Sequence, residues 1–324
     1  MDHVVSEKNQ LMMGRSGGIS WQASALNFFG RHTIKRRLAH SELSTETARS
    51  VLRVLELMTI GFGKFATVHR KSIAGVPCDV VYPRNPPAEE RVVLYLHGGG
   101  FFAHLPKSYK RFARRIAEAY GATVYLPAYR LAPEHRYPAA TDDCLAVYRA
   151  LLADGCDPRR LGIMGDSAGG NLALVTMLRA RDENLPLPAC ATVISPGADL
   201  TLSGTSFSSN DHHDPFIATR ALHRVVKQYV DADNIAHPHV SPMLGDFTGL
   251  PPIKILVGST EVMLDSSVAT AAHCRAAGVK VVLQVWHQMP HVFPVFSFLP
   301  EGRMAMKDMV VFFNQHTNTH NGVE

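Results

Sequence analysis

The chain has 324 residues, 46% of them apolar and 19% charged, the composition of an ordinary soluble globular protein with enough apolar material for a sizeable core. Its formal charge of +5, with 17 His counted neutral, is scattered. The one short cluster, Lys35-Arg36-Arg37, reads as a solvated helix face, which argues against nucleic acid or a membrane surface as partner. No apolar run is long enough to span a bilayer.

From the N-terminus, Met1 to Lys8 carries acids early and lacks an apolar h-region, so no secretory signal is expected. Residues 66–72 and 76–82 read as a hairpin around Ala74-Gly75. Val92 to Leu96 is an apolar strand running into His97-Gly98-Gly99-Gly100. A helix is expected over 107–120, stopped by Gly121, then a strand over 122–126 and a helix over 139–153 ending before Gly155. Asp142 and Asp143 sit in that helix's first turn, where the macrodipole favours them. Leu161 to Met164 is a short strand, Asn171 to Arg181 a helix, and Ala191 to Ile194 a strand ended by Ser195-Pro196, with Asp199 just beyond as a loop-stabilising carboxylate. Strands over 253–257 and 279–285 and a helix over 304–315 complete the series.

Strands separated by helices predict an α/β fold, a mostly parallel sheet covered by helices on both faces. Two stretches stand outside that alternation. One is residues 1–60; the other is 202–248, a polar run from Ser203 to Asp214 followed by a helix over about 218–230. The core is then divided into 61–201 and 249–324. The five Cys (Cys78, Cys144, Cys156, Cys190 and Cys274) are dispersed and lack C-x-x-C spacing, so the reading is of buried thiols in a reducing, cytoplasmic protein without disulfides or zinc.

The chemistry is carried by two glycine loops. Gly165-Asp166-Ser167-Ala168-Gly169-Gly170 places Ser167 in a G-x-S-x-G pentapeptide between a strand and a helix, the context of a nucleophile elbow. Gly165 and Gly169 leave room for the sharp turn. The His97 to Gly100 loop leaves a strand with its N–H groups unobstructed, as an oxyanion hole requires. Phosphate binding needs another pattern. There is no G-x-x-x-x-G-K-[ST], and Gly61-Phe62-Gly63 lacks both a preceding strand and a third glycine at the right spacing.

Four segments together resemble the hormone-sensitive lipase-like family of α/β-hydrolases, which includes many microbial carboxylesterases: His97-Gly98-Gly99-Gly100-Phe101, Tyr129-Arg130-Leu131-Ala132-Pro133-Glu134, Gly165 to Gly170, and Met289-Pro290-His291-Val292-Phe293. The resemblance runs from about residue 65 to the C-terminus. It implies an α/β-hydrolase fold in which residues 1–60 and 202–248 form a helical cap. Trp21, Leu26, Phe28 and Phe29 would then line an acyl pocket or pack between cap helices. The Tyr129 to Glu134 loop would support the oxyanion segment, although Ala128 stands where the family often has Asp. His97 and Asp166 are supporting residues, Asp166 and Asn171 by bonding nearby loops.

In this fold the triad follows the order Ser, acid, His. After the last strand come His287 and His291; His291 lies at the family's His position, and Pro290 disfavours helix before it. The acid belongs to the loop after strand 253–257, Gly258 to Asp265. The family usually has two Asp here, four residues apart; Glu261 and Asp265 occupy those positions. Glu261 is taken as the acid, with Asp265 the rival that would otherwise serve the first turn of the next helix. The expected enzyme is a serine carboxylesterase acting on small, short- to medium-chain esters, with Ser167, His291 and Glu261 as triad and Gly98, Gly99, Gly100 and Ala168 as oxyanion donors. It calls for no metal and no cofactor, and a homo-oligomer is compatible with it. An amidase or formamidase could use the same machinery. A non-catalytic binder, like the plant gibberellin receptors that share the fold but lost the His, is the third reading.

Overall fold

A computed structural model describes residues 4–6, 10–13, 18–39, 44–58 and 67–317. Most of the N-terminal octapeptide and the Gly61-Phe62-Gly63 stretch lie outside the described residues. In chain order the elements are β1 (Val4–Ser6), β2 (Gln10–Met13), α1 (Trp21–Phe29), α2 (Arg36–Leu38), α3 (Thr45–Met58), β3 (Thr67–Ile73), β4 (Val76–Tyr82), β5 (Val92–Leu96), α4 (Pro106–Tyr120) and β6 (Thr123–Pro127). There follow α5 (Ala139–Ala153), β7 (Leu161–Asp166), α6 (Ala168–Asp182), β8 (Cys190–Ile194), α7 (Ser206–Ser209), α8 (Thr219–Tyr229), β9 (Ile253–Gly258), α9 (Leu264–Ala276), β10 (Val281–Trp286) and α10 (Pro300–Thr317). A π-helical turn over Gly30–Lys35 joins α1 to α2.

One sheet runs in the order β1-β2-β10-β9-β8-β7-β5-β6-β4-β3. From β6 to β10 every neighbouring pair is parallel; β3 and β4 form an antiparallel hairpin at one edge. The other edge differs from expectation. Residues 1–60 do contribute to the sheet, because β2 pairs parallel with β10 and β1 antiparallel with β2. These strands are too short to leave a periodic signal in the sequence.

The central strands β5, β7, β8 and β9 are buried along their whole length because both faces of the sheet are covered there. Val92, Leu94 and Leu96 of β5 join a core with α5, α6 and α9, whereas Val93 and Tyr95 join a core with α4 and α10. Ser20 anchors the N-terminal helices to this body. It caps α1 at Ala23 N–H, and its own N–H and hydroxyl each donate to the buried Glu301 carboxylate at 2.8 Å.

The chain order fixes where a crevice opens. β5 has β6 on one side and β7 on the other, so the loops leaving β5 and β7 diverge at their carboxyl ends, which is where open α/β sheets bind ligands. The loop after β5 is His97 to Gly100, and the turn after β7 holds Ser167.

Candidate active site

Ser167 lies between β7 and α6 at φ 53° and ψ −120°, a conformation that a non-glycine residue adopts only under strain. The turn closes so tightly that a side chain at Gly165 would collide with the Gly169 carbonyl, and one at Gly169 with the Leu96 carbonyl of β5. The two glycines thus let the elbow lie against the oxyanion strand. Phe101, Ser195, Gln288 and Val292, all in loops around the same crevice, also have positive φ.

His291 Nε2 lies 2.9 Å from Ser167 Oγ, and His291 Nδ1 lies 2.7 Å from Glu261 Oε2. The other carboxylate oxygen, Oε1, accepts from the Ser195 hydroxyl at 2.8 Å and the Gly258 N–H at 2.6 Å. Both oxygens are therefore occupied, and Glu261 is fully buried. Ser195 in turn accepts the Val292 N–H at 3.2 Å, so one hydroxyl ties the acid to the His loop. Burial alone would lower the His291 pKa, but the hydrogen bond and charge of Glu261, with smaller contributions from Asp214 and Asp166, raise it above the usual imidazole value.

The oxyanion loop is held at several points. Tyr129 donates its hydroxyl to the His97 carbonyl at 2.6 Å, and the Ala132 N–H donates to Phe101 at 2.9 Å. Arg49 of α3 donates to the Phe102 and Ala132 carbonyls and to the Glu134 carboxylate. Beneath the loop Asp166 accepts from the Tyr95 and Tyr109 hydroxyls and from the Gly98 N–H. Burial raises the Asp166 pKa, and those three hydrogen bonds oppose it. His97 is buried between His104 and Tyr129, and burial pulls its pKa down to about 3.

Ser167, His291, Gly99 and Gly100 open into an apolar cavity of about 150 Å3. Ile34, Leu38 and Leu52 come from the N-terminal segment, and Phe216, Leu222 and Val225 from the stretch before and within α8. The same fold is found among known proteins: a family model described as alpha/beta hydrolase fold matches residues 93–295, more than half the chain.

The chain belongs to that family.

An acetyl-hydrolase of Streptomyces hygroscopicus is 38% identical over 241 residues, covering 74% of this chain and 81% of that protein. Among solved structures, an esterase from the bacterial hormone-sensitive lipase family has a TM-score of 0.84 and 33% identity, over 90% of this chain and 98% of its own. The esterase EstE5, soaked with p-nitrophenyl butyrate, has a TM-score of 0.86 and 34% identity, over 93% and 100%. This hydrolase is thus of the hormone-sensitive lipase-like group, and it is a serine carboxylesterase.

Several sequence expectations for the hydrolase change with the geometry. The Gly98 N–H is not a free oxyanion donor, because it is spent on Asp166 Oδ1 at 3.0 Å. Gly99 and Gly100, at φ 120° and 61°, border the cavity beside Ser167, and Ala168 is the first residue of α6. Asp265 does not reach His291; it accepts the Ser206 N–H at 2.8 Å, while its own N–H donates to Ser206 Oγ at 3.0 Å. His287 is exposed, and its backbone N–H donates to the Met13 carbonyl of β2 at 2.9 Å.

The four residues expected at an acyl pocket or between cap helices do not line the cavity. Trp21 and Phe28 are 76% and 67% exposed, Leu26 is buried in the core, and Phe29 packs partly against it. The cavity-lining residues of this segment are instead Ile34 and Leu38, further along the same buried face that holds Ala23, Leu26 and Gly30. Asp143 also has a different part from a first-turn charge: it holds the Arg130 guanidinium and backbone N–H. Ser195 and Asp214 had no distinguishing signal beyond a strand end before Pro and an Asp before Pro215.

Proposed function

We propose that Ser167, His291 and Glu261 form the catalytic triad and that the preferred esters carry short acyl chains. The reading rests on the unbroken chain of two short hydrogen bonds from Glu261 through His291 to Ser167, at the foot of an apolar cavity. His291 takes the Ser167 proton as Oγ attacks the ester carbonyl. The oxyanion that forms is stabilised by the N–H groups of Gly99, Gly100 and Ala168. His291 then protonates the leaving alcohol, and a water activated by the same imidazole releases the acid. Glu261 keeps Nδ1 protonated and balances the imidazolium.

The cavity volume, about 150 Å3, matches the size at which an apolar cavity accepts a benzene-sized guest, which suits acyl chains of a few carbons. A relative named acetyl-hydrolase and the butyrate ester used with EstE5 point the same way. In the same proposal the N-terminal segment 1–60 and the segment 202–248 act as a cap that shapes this cavity. No observation favours amide over ester substrates.

A series of p-nitrophenyl esters from acetate to laurate tests the proposal. The expected kcat/KM peaks at acetate to butyrate and falls steeply beyond. A maximum at decanoate or laurate contradicts the short-chain reading. The imidazole must be neutral to act as base, so its raised pKa puts the acid limb of kcat/KM above pH 6.5.

A further inference from the structure

Asp214 is fully buried, ends the polar run before α8, and does not border the cavity. One carboxylate oxygen accepts the N–H groups of Phe216 and Ile217, each at 2.9 Å, and the other accepts the Val262 N–H at 3.0 Å. Phe216 and Ile217 line the cavity, and Val262 directly follows Glu261. The Asp214 carbonyl accepts Lys35 Nζ at 2.8 Å. One residue therefore joins the pocket wall, the N-terminal helices and the loop of the acid.

From this juxtaposition we propose that Asp214 is a positioning residue of the esterase, fixing Glu261 against His291 in register with the pocket wall. The inference rests on the triad reading above. Backbone donors meet both carboxylate oxygens, so an amide cannot replace it: whichever way Asn turns, its NH2 faces an N–H. Burial, and then the like charge of Glu261, push the Asp214 pKa up to about 6. The charged groups around it are Glu261 and His291 from their loops and Lys35 from the N-terminal segment, while Asp166 faces His291 from the end of β7. Above its pKa, Asp214 adds negative charge near the imidazole and raises the His291 pKa.

The test compares wild type, Asp214→Asn and Asp214→Glu on p-nitrophenyl acetate, with rates normalised to sites titrated by a fluorophosphonate. Asp214→Asn is expected to lower kcat about tenfold, short of the ~10²-fold cost of a 1 Å misplacement. KM should stay within about twofold, and the acid limb of kcat/KM should move down by about half a unit, less than a contacting carboxylate gives. Asp214→Glu keeps the charge, so it should lower kcat while leaving the acid limb at its wild-type position. A role confined to stability would lower the melting temperature and leave kcat per titrated site and the acid limb unchanged in both variants, which would overturn the proposal. If Asp214→Asn does not fold, wild-type kcat per site in Asp214→Glu alone overturns it. Failure of the fluorophosphonate to label wild-type Ser167 would instead overturn the triad reading.

Discussion

The nucleophile side of the site and the wall that covers it are built on opposite terms. Around Ser167 the geometry is set by exclusion: Gly165 and Gly169 are glycines because a carbonyl stands where a side chain would go. The atoms that fix the turn sit on the adjacent strands β5 and β7 and on the first turn of α6. The covering wall is instead a clasp of polar contacts between distant stretches. Arg31 donates to the His213 carbonyl, Lys35 to that of Asp214, Arg224 to that of Leu38, and Gln228 to Thr45 Oγ1, across 179 to 186 positions of sequence. Steric exclusion tolerates no substitution and carries the chemistry. A clasp can shift residue by residue, and it shapes the pocket.

The largest effect is expected at the acid. Glu261→Gln should lower kcat by about 10⁴, as the corresponding change does in the serine protease template, because the amide favours the wrong imidazole tautomer and cannot balance its charge. Asp265→Asn should cost less than about tenfold, since Asp265 only braces Ser206 at the start of α7. Kinetics and thermal melts on both variants check the ranking, and the reverse order would move the acid to Asp265.

Next comes the steric side of the comparison. Gly169→Ala drives a methyl into the Leu96 carbonyl, a backbone atom that cannot step aside. A loss of about 2–5 kcal/mol in urea unfolding is expected, within the range of severe strain and overpacking. A normal urea midpoint would show that the elbow and β5 can separate.

The clasp should respond differently. A chain lacking residues 1–45 loses Ile34 and Leu38 from the cavity wall but keeps the triad. It should lose roughly 10²-fold in kcat/KM on butyrate esters, of the order expected when substrate positioning is impaired, and become less soluble as apolar surface is exposed. Unchanged kinetics at every acyl length would show that these residues do not shape the pocket.

What was legible in the sequence follows the same division. The elbow and the glycine loop could be read because steric need writes itself into neighbouring residues. The alternation of strands and helices is legible for a similar reason, since the central strands β5, β7, β8 and β9 are buried along their whole length. The sequence cannot tell Gly98 from Gly99 and Gly100 as a donor, because nothing local shows that the Asp166 side chain takes its N–H. Ser195 and Asp214 stayed hidden because they act on the acid loop from 66 and 48 positions away. Trp21 and Phe28 suggested a pocket by their size, yet the helix turns them to solvent.

The most direct test of the account is covalent. Wild-type protein treated with a fluorophosphonate should take up one adduct per chain, located by mass spectrometry on Ser167, with loss of esterase activity in proportion to labelling. Ser167→Ala should stay folded, take up none, and keep only the residual rate that the oxyanion hole and binding supply, about 10³–10⁴ over water. Labelling at another residue, or an Ala variant that still forms an acyl-enzyme, would contradict it.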